Sequence, residues 1–335
     1  MNLNLNNLED RKAEMTELGA SDASIARMEE LMRKGETSFR VNEALPANKG
    51  QVDVTYHFQK GKSSDNFYLN RYTVAHNLGK QLTEGQKYMI ITPNGKGQND
   101  VKKLENITEA IELFQKRGPK AELAVGKDEA NKVTIASMEE NKVNYVNREY
   151  RGTYYGKFVT QTIWPEKGKG FTVPQSGQMI QGHSVFRDDL VNFKTGVPYM
   201  AWVKLDMDKG VGRTGNFDLQ QFHVPQYGFY LSKVLDSYNI KELQDAEKRK
   251  EIESKIENGF TPLVTVEKEG QPLKVLLEAS PRYSKMNFYN LDGTMEKREQ
   301  FEAKLAPDQN KMAEIFAKKD MSKETEQSES MGIGR

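Results

Sequence analysis

Apolar residues recur at helical spacing between positions 8 and 34. The two stripes consist of Leu8, Met15, Leu18, Ile25, Met28, Leu31 and Met32. Ser21 or Asp22 supplies an N-cap for the second stripe, and Gly35 stands at its end in the position that usually follows a helix. The pattern predicts two short helices joined at Gly19.

The hydrophobic period changes to two between about 37 and 73. Val52, Val54, Tyr56 and Phe58 alternate with Asp53, Thr55 and His57, which is typical of a strand with one buried and one solvated face. A turn at 61–65 and a second aromatic strand at 66–72 follow. His57 is expected on the polar face of its strand.

The rest of the chain mixes strands and helices. Strands are predicted at 88–91, 261–266 and 273–277, a hairpin at 200–222, and helices at 107–117, 229–237, 241–257 and 295–319. The polar stretch 119–140 is interpreted as a linker or loop. We therefore predict an α+β fold of antiparallel β-sheets packed against short helices. Its parts would be an N-terminal domain at 1–118, the linker, a C-terminal domain at 141–319 and a disordered tail at 320–335.

The two ends of the chain show a weak internal similarity. Near the N-terminus a helix ends at Gly35, Gly50-Gln51 opens a strand, and Asn66-Phe67-Tyr68 follows a turn. Near the C-terminus a helix ends at Gly259, Gly270-Gln271 opens a strand, and Asn287-Phe288-Tyr289 follows. The similarity indicates either a duplicated unit of one helix and a three-stranded meander, or chance likeness between generic turn and strand residues.

Composition excludes several classes of protein. The 335 residues carry a formal net charge of +1 and contain no cysteine, so disulfides, thiolate metal sites and cysteine nucleophiles are absent. No stretch approaches the roughly 18 apolar residues of a membrane helix. The N-terminus has neither the basic nor the apolar region of a signal peptide. We expect a cytoplasmic protein that has no contact with a membrane and needs no cofactor.

Two motifs resemble catalytic or ligand-binding sequences. Gly210-Val-Gly212-Arg-Thr-Gly215 matches the G-x-G-x-x-G pattern of a dinucleotide-binding loop. A strand-like segment follows where that loop requires a helix, so the sequence favours the tip of a hairpin. Asp206, Asp208 and Asp218 surround this tip and, with His223, form the alternative hypothesis of a metal-dependent hydrolase or nuclease. The acidic spacing does not fit a calcium loop.

The segment 141–170 combines basic and aromatic side chains. Its candidate nucleic-acid-binding residues are Lys142, Arg148, Arg151, Tyr154, Lys157, Trp164 and Lys167. Basic groups attract phosphates and aromatic faces stack on unpaired bases, so this mixture is typical of single-stranded nucleic-acid surfaces. The other interpretation is a tyrosine-rich sheet whose lysine-bearing solvent face prevents aggregation, and a net charge near zero favours it.

Several phrases between about 180 and 300 resemble an uncharacterised protein family of Bacteroidetes, a domain of unknown function found on conjugative plasmids and other mobile elements. The phrases include Gln181-Gly-His-Ser-Val-Phe186, Val197-Pro-Tyr-Met-Ala-Trp-Val-Lys-Leu-Asp206, Gly215-Asn-Phe-Asp-Leu-Gln-Gln-Phe-His223 and Leu277-Glu-Ala-Ser-Pro281. The family has no assigned catalytic residues. Its setting implies a role in DNA transfer, element maintenance or countering host defence.

The sequence thus favours a non-enzymatic binding or accessory protein of a mobile element. Its partner would be nucleic acid, or a protein of DNA transfer or defence. The hydrolase based on Asp206, Asp208 and Asp218 and a purely structural protein-interaction module remain as alternatives.

Overall fold

Short helices and antiparallel sheets make up the computed structural model, which describes residues 4–79, 82–156, 159–165, 170–192 and 194–303. The predicted α+β fold class is confirmed. The α-helices are α1 (Leu5–Glu17), α2 (Asp22–Arg33), α3 (Ile107–Gln115), α4 (Arg151–Tyr155), α5 (Val173–Met179), α6 (Val224–Tyr227), α7 (Leu231–Asp236) and α8 (Ala246–Glu257). Single 3₁₀ turns lie at Arg148–Tyr150, Lys241–Gln244, Pro281–Tyr283 and Arg298–Phe301.

The strands form four antiparallel sheets in the described residues. They are β1 (Ser38–Pro46), β2 (Gln51–Lys60), β3 (Phe67–Asn77), β4 (Lys87–Pro93), β5 (Asn99–Leu104), β6 (Glu122–Gly126), β7 (Lys132–Glu139), β8 (Lys142–Val146), β9 (Val159–Ile163), β10 (Val185–Val191), β11 (Pro198–Leu205), β12 (Leu219–His223), β13 (Leu263–Lys268), β14 (Gln271–Ser280), β15 (Lys285–Tyr289) and β16 (Met295–Glu296). The strand orders are β1-β2-β3-β9, β5-β4-β6-β7-β8, β10-β11-β12 and β13-β14-β15-β16.

The chain divides into two compact units. The first comprises Met1–Gly228 and Ser254–Thr261, and the second comprises Phe229–Glu253 and Pro262–Arg335. This division does not follow the predicted boundaries at 118 and 141. The first unit contains three of the sheets, and the second contains the sheet of β13–β16.

One face of the sheet β1-β2-β3-β9 lies on the main core of the first unit. The predicted pair of N-terminal helices is present as α1 and α2, and both pack on this face with α5. The side chain of Ser21 caps α2, and Glu43 of β1 accepts hydrogen bonds from the Ser21 backbone at 3.2 Å and from the Ser24 hydroxyl at 3.0 Å. Alternating residues of β2, such as Tyr56 and Phe58, point into this core.

The stretch 119–140 contains two strands where the sequence predicts a linker. Strands β6 and β7 lie inside the sheet β5-β4-β6-β7-β8, and Leu123 and Ile135 are fully buried. Four of the five residues of β6 are buried, so this strand lacks the alternation that reveals a half-buried strand, and β7 alternates only in part. This segment is therefore part of the fold of the first unit and does not separate two domains.

The prediction of a C-terminal helix at 295–319 is wrong for residues 295–303, the part of it that the structure describes. Residues 295–296 form β16, and the 3₁₀ turn Arg298–Phe301 follows. Phe301 is buried because its ring packs at 4.9 Å from the ring of Phe288, which makes it a core residue of the second unit. The rest of this helix and the predicted tail at 320–335 lie outside the described residues.

The two predicted repeat segments share their topology. In each, a helix is followed by three antiparallel strands, β1-β2-β3 after α2 and β13-β14-β15 after α8. Gly50 and Gly270 both adopt positive φ, 71° and 77°, at the turn before the second strand. The register differs, since Phe67 pairs with Lys60 at the end of β2 but Phe288 pairs with Leu277 inside β14. Strand order thus agrees with a duplication, whereas the Asn-Phe-Tyr phrases are not equivalent in position.

Candidate nucleic-acid interface

Among the residues that the structure describes, the basic and aromatic side chains of 141–170 do not belong to one sheet. Lys142 opens β8 at the edge of the five-stranded sheet, and Arg148 and Arg151 are exposed in the short helical turns after it. Trp164 instead follows β9, which belongs to the sheet β1-β2-β3-β9. Lys157 and Lys167 lie outside the described residues.

Tyr154 is a core residue in the structure. Only 7% of it is exposed, and its ring meets the ring of Phe114 edge-on at a centroid distance of 6.2 Å. Burial also raises the pKa of its hydroxyl. A ring packed in this way offers no face to a base, so its proposed stacking role does not agree with its position.

The acidic residues around the hairpin tip do not gather into a site. Asp206 is 3% exposed and forms an ion pair with Lys209 at 3.2 Å. His223 stacks on Tyr199 at a ring distance of 5.0 Å. Within the described ranges no three His, Asp or Glu side chains lie close enough together to hold a metal ion.

The glycine-rich segment 210–215 is the tip of the β11–β12 hairpin, as the sequence predicts. A bridge between Val211 and Phe217 continues the hairpin beyond the two strands. The segment is therefore held between antiparallel strands and does not precede a helix. A dinucleotide loop needs a helix N-terminus to hold the pyrophosphate, which this segment lacks.

A row of basic side chains crosses the sheet β1-β2-β3-β9 on the face opposite α1 and α2. Arg40 pairs with His57, and His57 pairs with Arg71. Directly paired residues of antiparallel strands project from the same face, about 5 Å apart. The two arginines are exposed, and no ion pair involves either of them in the described part of the chain.

Two exposed aromatic residues adjoin this basic row. Tyr68 pairs with Gln59, two positions along β2 from His57, and is 45% exposed. Trp164 directly follows Ile163, and the partner of Ile163 in the last pair of β3 and β9 is Tyr72, which directly follows Arg71. It is 58% exposed. We call the surface that carries Arg40, His57, Arg71, Tyr68 and Trp164 the open face.

His57 is neutral in this setting. Burial, and then the charges of Arg71 and Arg40, lower the pKa of its imidazole to about 4. Its Nε2 atom lies 3.3 Å from the hydroxyl of Thr73, within hydrogen-bonding distance. At neutral pH the row therefore carries two positive charges, those of Arg40 and Arg71, and the uncharged imidazole between them adds no third.

The N-terminus of α3 limits the open face on one side. Asn106, the N-cap of α3, donates to the Thr55 hydroxyl at 3.4 Å, and Asn42 donates to Glu109 at 2.8 Å. Asn42 and Thr55 form the next pair along the sheet on this face, and the N-terminus of α3 covers that pair. The row that contains Arg40 remains accessible to solvent. Burial along this face of β2 falls steadily, from Asp53 at 1% exposure to the exposed Gln59.

Sequence reasoning finds only one side of this surface. It identifies Trp164 and the polar face of His57, interprets Tyr68 as a packing residue, and overlooks Arg40 and Arg71, which come from other strands. The available signal is the alternation in 38–46 and 71–77, which assigns Arg40 and Arg71 to the polar faces of their strands. Their alignment with His57 depends on the register, including the bulge after His57.

Comparisons of the chain with protein-family models, curated proteins and solved structures return no match. The resemblance to the Bacteroidetes family therefore rests on the phrases quoted above and stays a prediction. None of the helices in the described ranges is both long and apolar enough to cross a membrane.

Proposed function

We propose that this protein binds single-stranded nucleic acid on the open face and catalyses no reaction. The observation that carries the proposal is the row Arg40–His57–Arg71, flanked by the exposed rings of Tyr68 and Trp164. Proteins that bind single strands combine positive charges that follow the backbone with aromatic rings on which bases stack. Both components are present on this one sheet face.

The aromatic residues distinguish this proposal from an ordinary solvent-exposed sheet face. Charges alone would suffice to keep a sheet soluble, and large exposed rings work against that purpose. In a duplex the base faces are already stacked and cannot reach Tyr68 or Trp164. We therefore expect a preference for single strands, with affinity limited by the chain's formal net charge of +1.

The proposal extends to the protein's setting. We place it in the cytoplasm as an accessory protein of a mobile element. The lack of cysteine and the quoted family phrases support this placement. Transfer and maintenance of such elements expose single-stranded DNA, which is the chemistry that the open face fits.

Fluorescence anisotropy with labelled single-stranded and duplex oligonucleotides tests this function. We expect tighter binding of the single strand and, since stacking on one ring contributes about 1–3 kcal/mol, at least about a fivefold loss of affinity in Trp164→Ala and in Tyr68→Ala. Trp164→Phe should retain most of the affinity. Tyr283→Ala is the matched control, because Tyr283 is 64% exposed and belongs to the second unit.

Two results would overturn the proposal. One is equal affinity for both oligonucleotides with no effect of the aromatic variants. The other is no binding even at low salt, which would direct the search to a protein partner by pull-down.

A further inference from the structure

A large cleft opens along the free edge of β9, facing the sheet β10-β11-β12. Its volume is about 1170 Å³, slightly above the roughly 300–1,000 Å³ of typical small-molecule sites. Apolar side chains make up much of its lining, among them Phe171, Met179, Leu190, Leu205, Phe217 and Leu219. Trp164 also lines the cleft and thus belongs both to it and to the open face.

One ion pair, between a buried arginine and an exposed aspartate, belongs to the lining of this cleft. Arg187 is 9% exposed, and its Nε and Nη2 atoms each donate to Asp189 at 2.7 Å. Its guanidinium also lies 4.9 Å from the ring centre of Phe171. The carboxylate and the ring thus hold the guanidinium on two sides within the lining.

The charges of the lining select against phosphate. Arg187 is the single cation, whereas Asp189 and Asp218 are anionic, so the described lining carries a net charge of −1. A phosphate would meet repulsion there, while a neutral and planar group would gain apolar contacts. The carboxylate of the exposed Asp218 makes no hydrogen bond or ion pair within the described residues, so it can accept one from a ligand.

We propose that the cleft binds one unpaired nucleobase, which stacks on Trp164 while its sugar and phosphates stay outside. This inference rests on the proposed function, because the strand bound to the open face would supply the base. Asp218 would accept a hydrogen bond from the exocyclic amino group of adenine, cytosine or guanine. Uracil and thymine lack this group, so they should bind more weakly.

Free nucleosides test the cleft separately from the open face. The chain has two tryptophans, and Trp202 is 1% exposed, so quenching of the accessible fluorescence reports on Trp164. We expect adenosine and cytidine to quench at about tenfold lower concentration than uridine and thymidine, after correction for nucleoside absorbance. Asp218→Asn should reduce this difference, since the neutral amide is a weaker acceptor.

Two further variants show whether the signal comes from the cleft. Leu219→Tyr fills the cleft from an edge strand where Leu219 is 44% exposed, and it should weaken quenching by every nucleoside. Val211→Tyr is the matched control, because Val211 is 58% exposed on the same hairpin and does not line the cleft. Quenching that is absent, equal for the four nucleosides, or unchanged in Leu219→Tyr would overturn the inference.

Failure of this inference is distinguishable from failure of the proposed function. If oligonucleotides bind and lose affinity in Tyr68→Ala while nucleosides do not quench Trp164, the cleft proposal alone is overturned. If nucleosides bind in the cleft while no oligonucleotide binds, the open-face proposal is overturned, and the cleft is a site for free nucleosides.

Discussion

The side-chain amide of Asn216 pairs with the backbone of Thr162 as a neighbouring strand would. Its Oδ1 accepts from the Thr162 N–H at 2.9 Å, and its Nδ2 donates to the Thr162 carbonyl at 3.2 Å. Gln161 makes the same pair of contacts with the backbone of Phe217, at 2.9 and 3.4 Å. Two amide side chains thus cover the free edge of β9, which would otherwise be a template for aggregation. They also fix the hairpin tip beside Trp164.

Replacing Asn216 with alanine should loosen this connection. Two hydrogen bonds disappear, each worth about 0.5–1.5 kcal/mol, so we expect the free energy of unfolding to fall by about 1–2 kcal/mol in urea titrations. Asn216→Asp keeps an acceptor for the Thr162 N–H and should lose less stability. Limited proteolysis should also cut the segment 210–215 faster in Asn216→Ala. Unchanged stability and unchanged cleavage would mean that the edge is held by other contacts.

Removing the two arginines of the open face should change the salt dependence of binding. Each phosphate contact to a single strand contributes roughly 0.7 to the slope of log K against log salt, so Arg40→Ala/Arg71→Ala should lower that slope by about 1.4. Arg148→Ala/Arg151→Ala removes the same charge from exposed positions associated with the five-stranded sheet. It serves as the control and should leave the slope unchanged. An equal change in both double variants would contradict a specific role of Arg40 and Arg71.

The sequence predicts local elements well and the assembled site poorly, for one physical reason. The sequence of β2 alternates clearly because apolar side chains face the core and polar ones occupy the other face, which becomes exposed towards Gln59. Strand β6 has four consecutive buried residues, because β4 and β7 flank it and apolar side chains cover both faces, so its pattern is hidden. The row Arg40–His57–Arg71 depends on pairing between three strands, which no local pattern specifies.

Burial of Tyr154 predicts a loss of stability when its ring is removed. Tyr154→Ala should lower the free energy of unfolding by about 3 kcal/mol, because the cavity left beside Phe114 cannot fill completely. Tyr154→Phe keeps the ring and should cost under about 1.5 kcal/mol. Thermal unfolding followed by circular dichroism measures both variants. If Tyr154→Ala keeps its stability but binds oligonucleotides weakly, Tyr154 contacts the ligand directly and does not stabilise the fold.

Asp53 should make stability depend on pH. Burial raises the pKa of its carboxyl from 3.8 to about 6, although Gln51 and Asn77 donate hydrogen bonds that favour the charged form. The folded state therefore prefers the protonated acid. Its contribution is complete below about pH 4 and is lost as the pH rises through 6, a change of about 3 kcal/mol. His57 acts in the opposite sense, because its pKa is lowered and its contribution is lost as the pH falls from 6.5 towards 4.

The variant Asp53→Asn separates these two effects. The free energy of unfolding of the unmodified protein, minus that of Asp53→Asn, should decrease as the pH rises from about 4 to 6 and stay constant above about 7. Urea titrations at intervals between pH 4 and 8 measure this difference. The contribution of His57 is the same in both proteins and cancels in the subtraction. The same pH curve is therefore expected for a second difference, the free energy of unfolding of His57→Gln minus that of the double variant His57→Gln/Asp53→Asn. A difference that does not vary with pH would show that Asp53 keeps an ordinary pKa, with its carboxylate charged among Gln51 and Asn77.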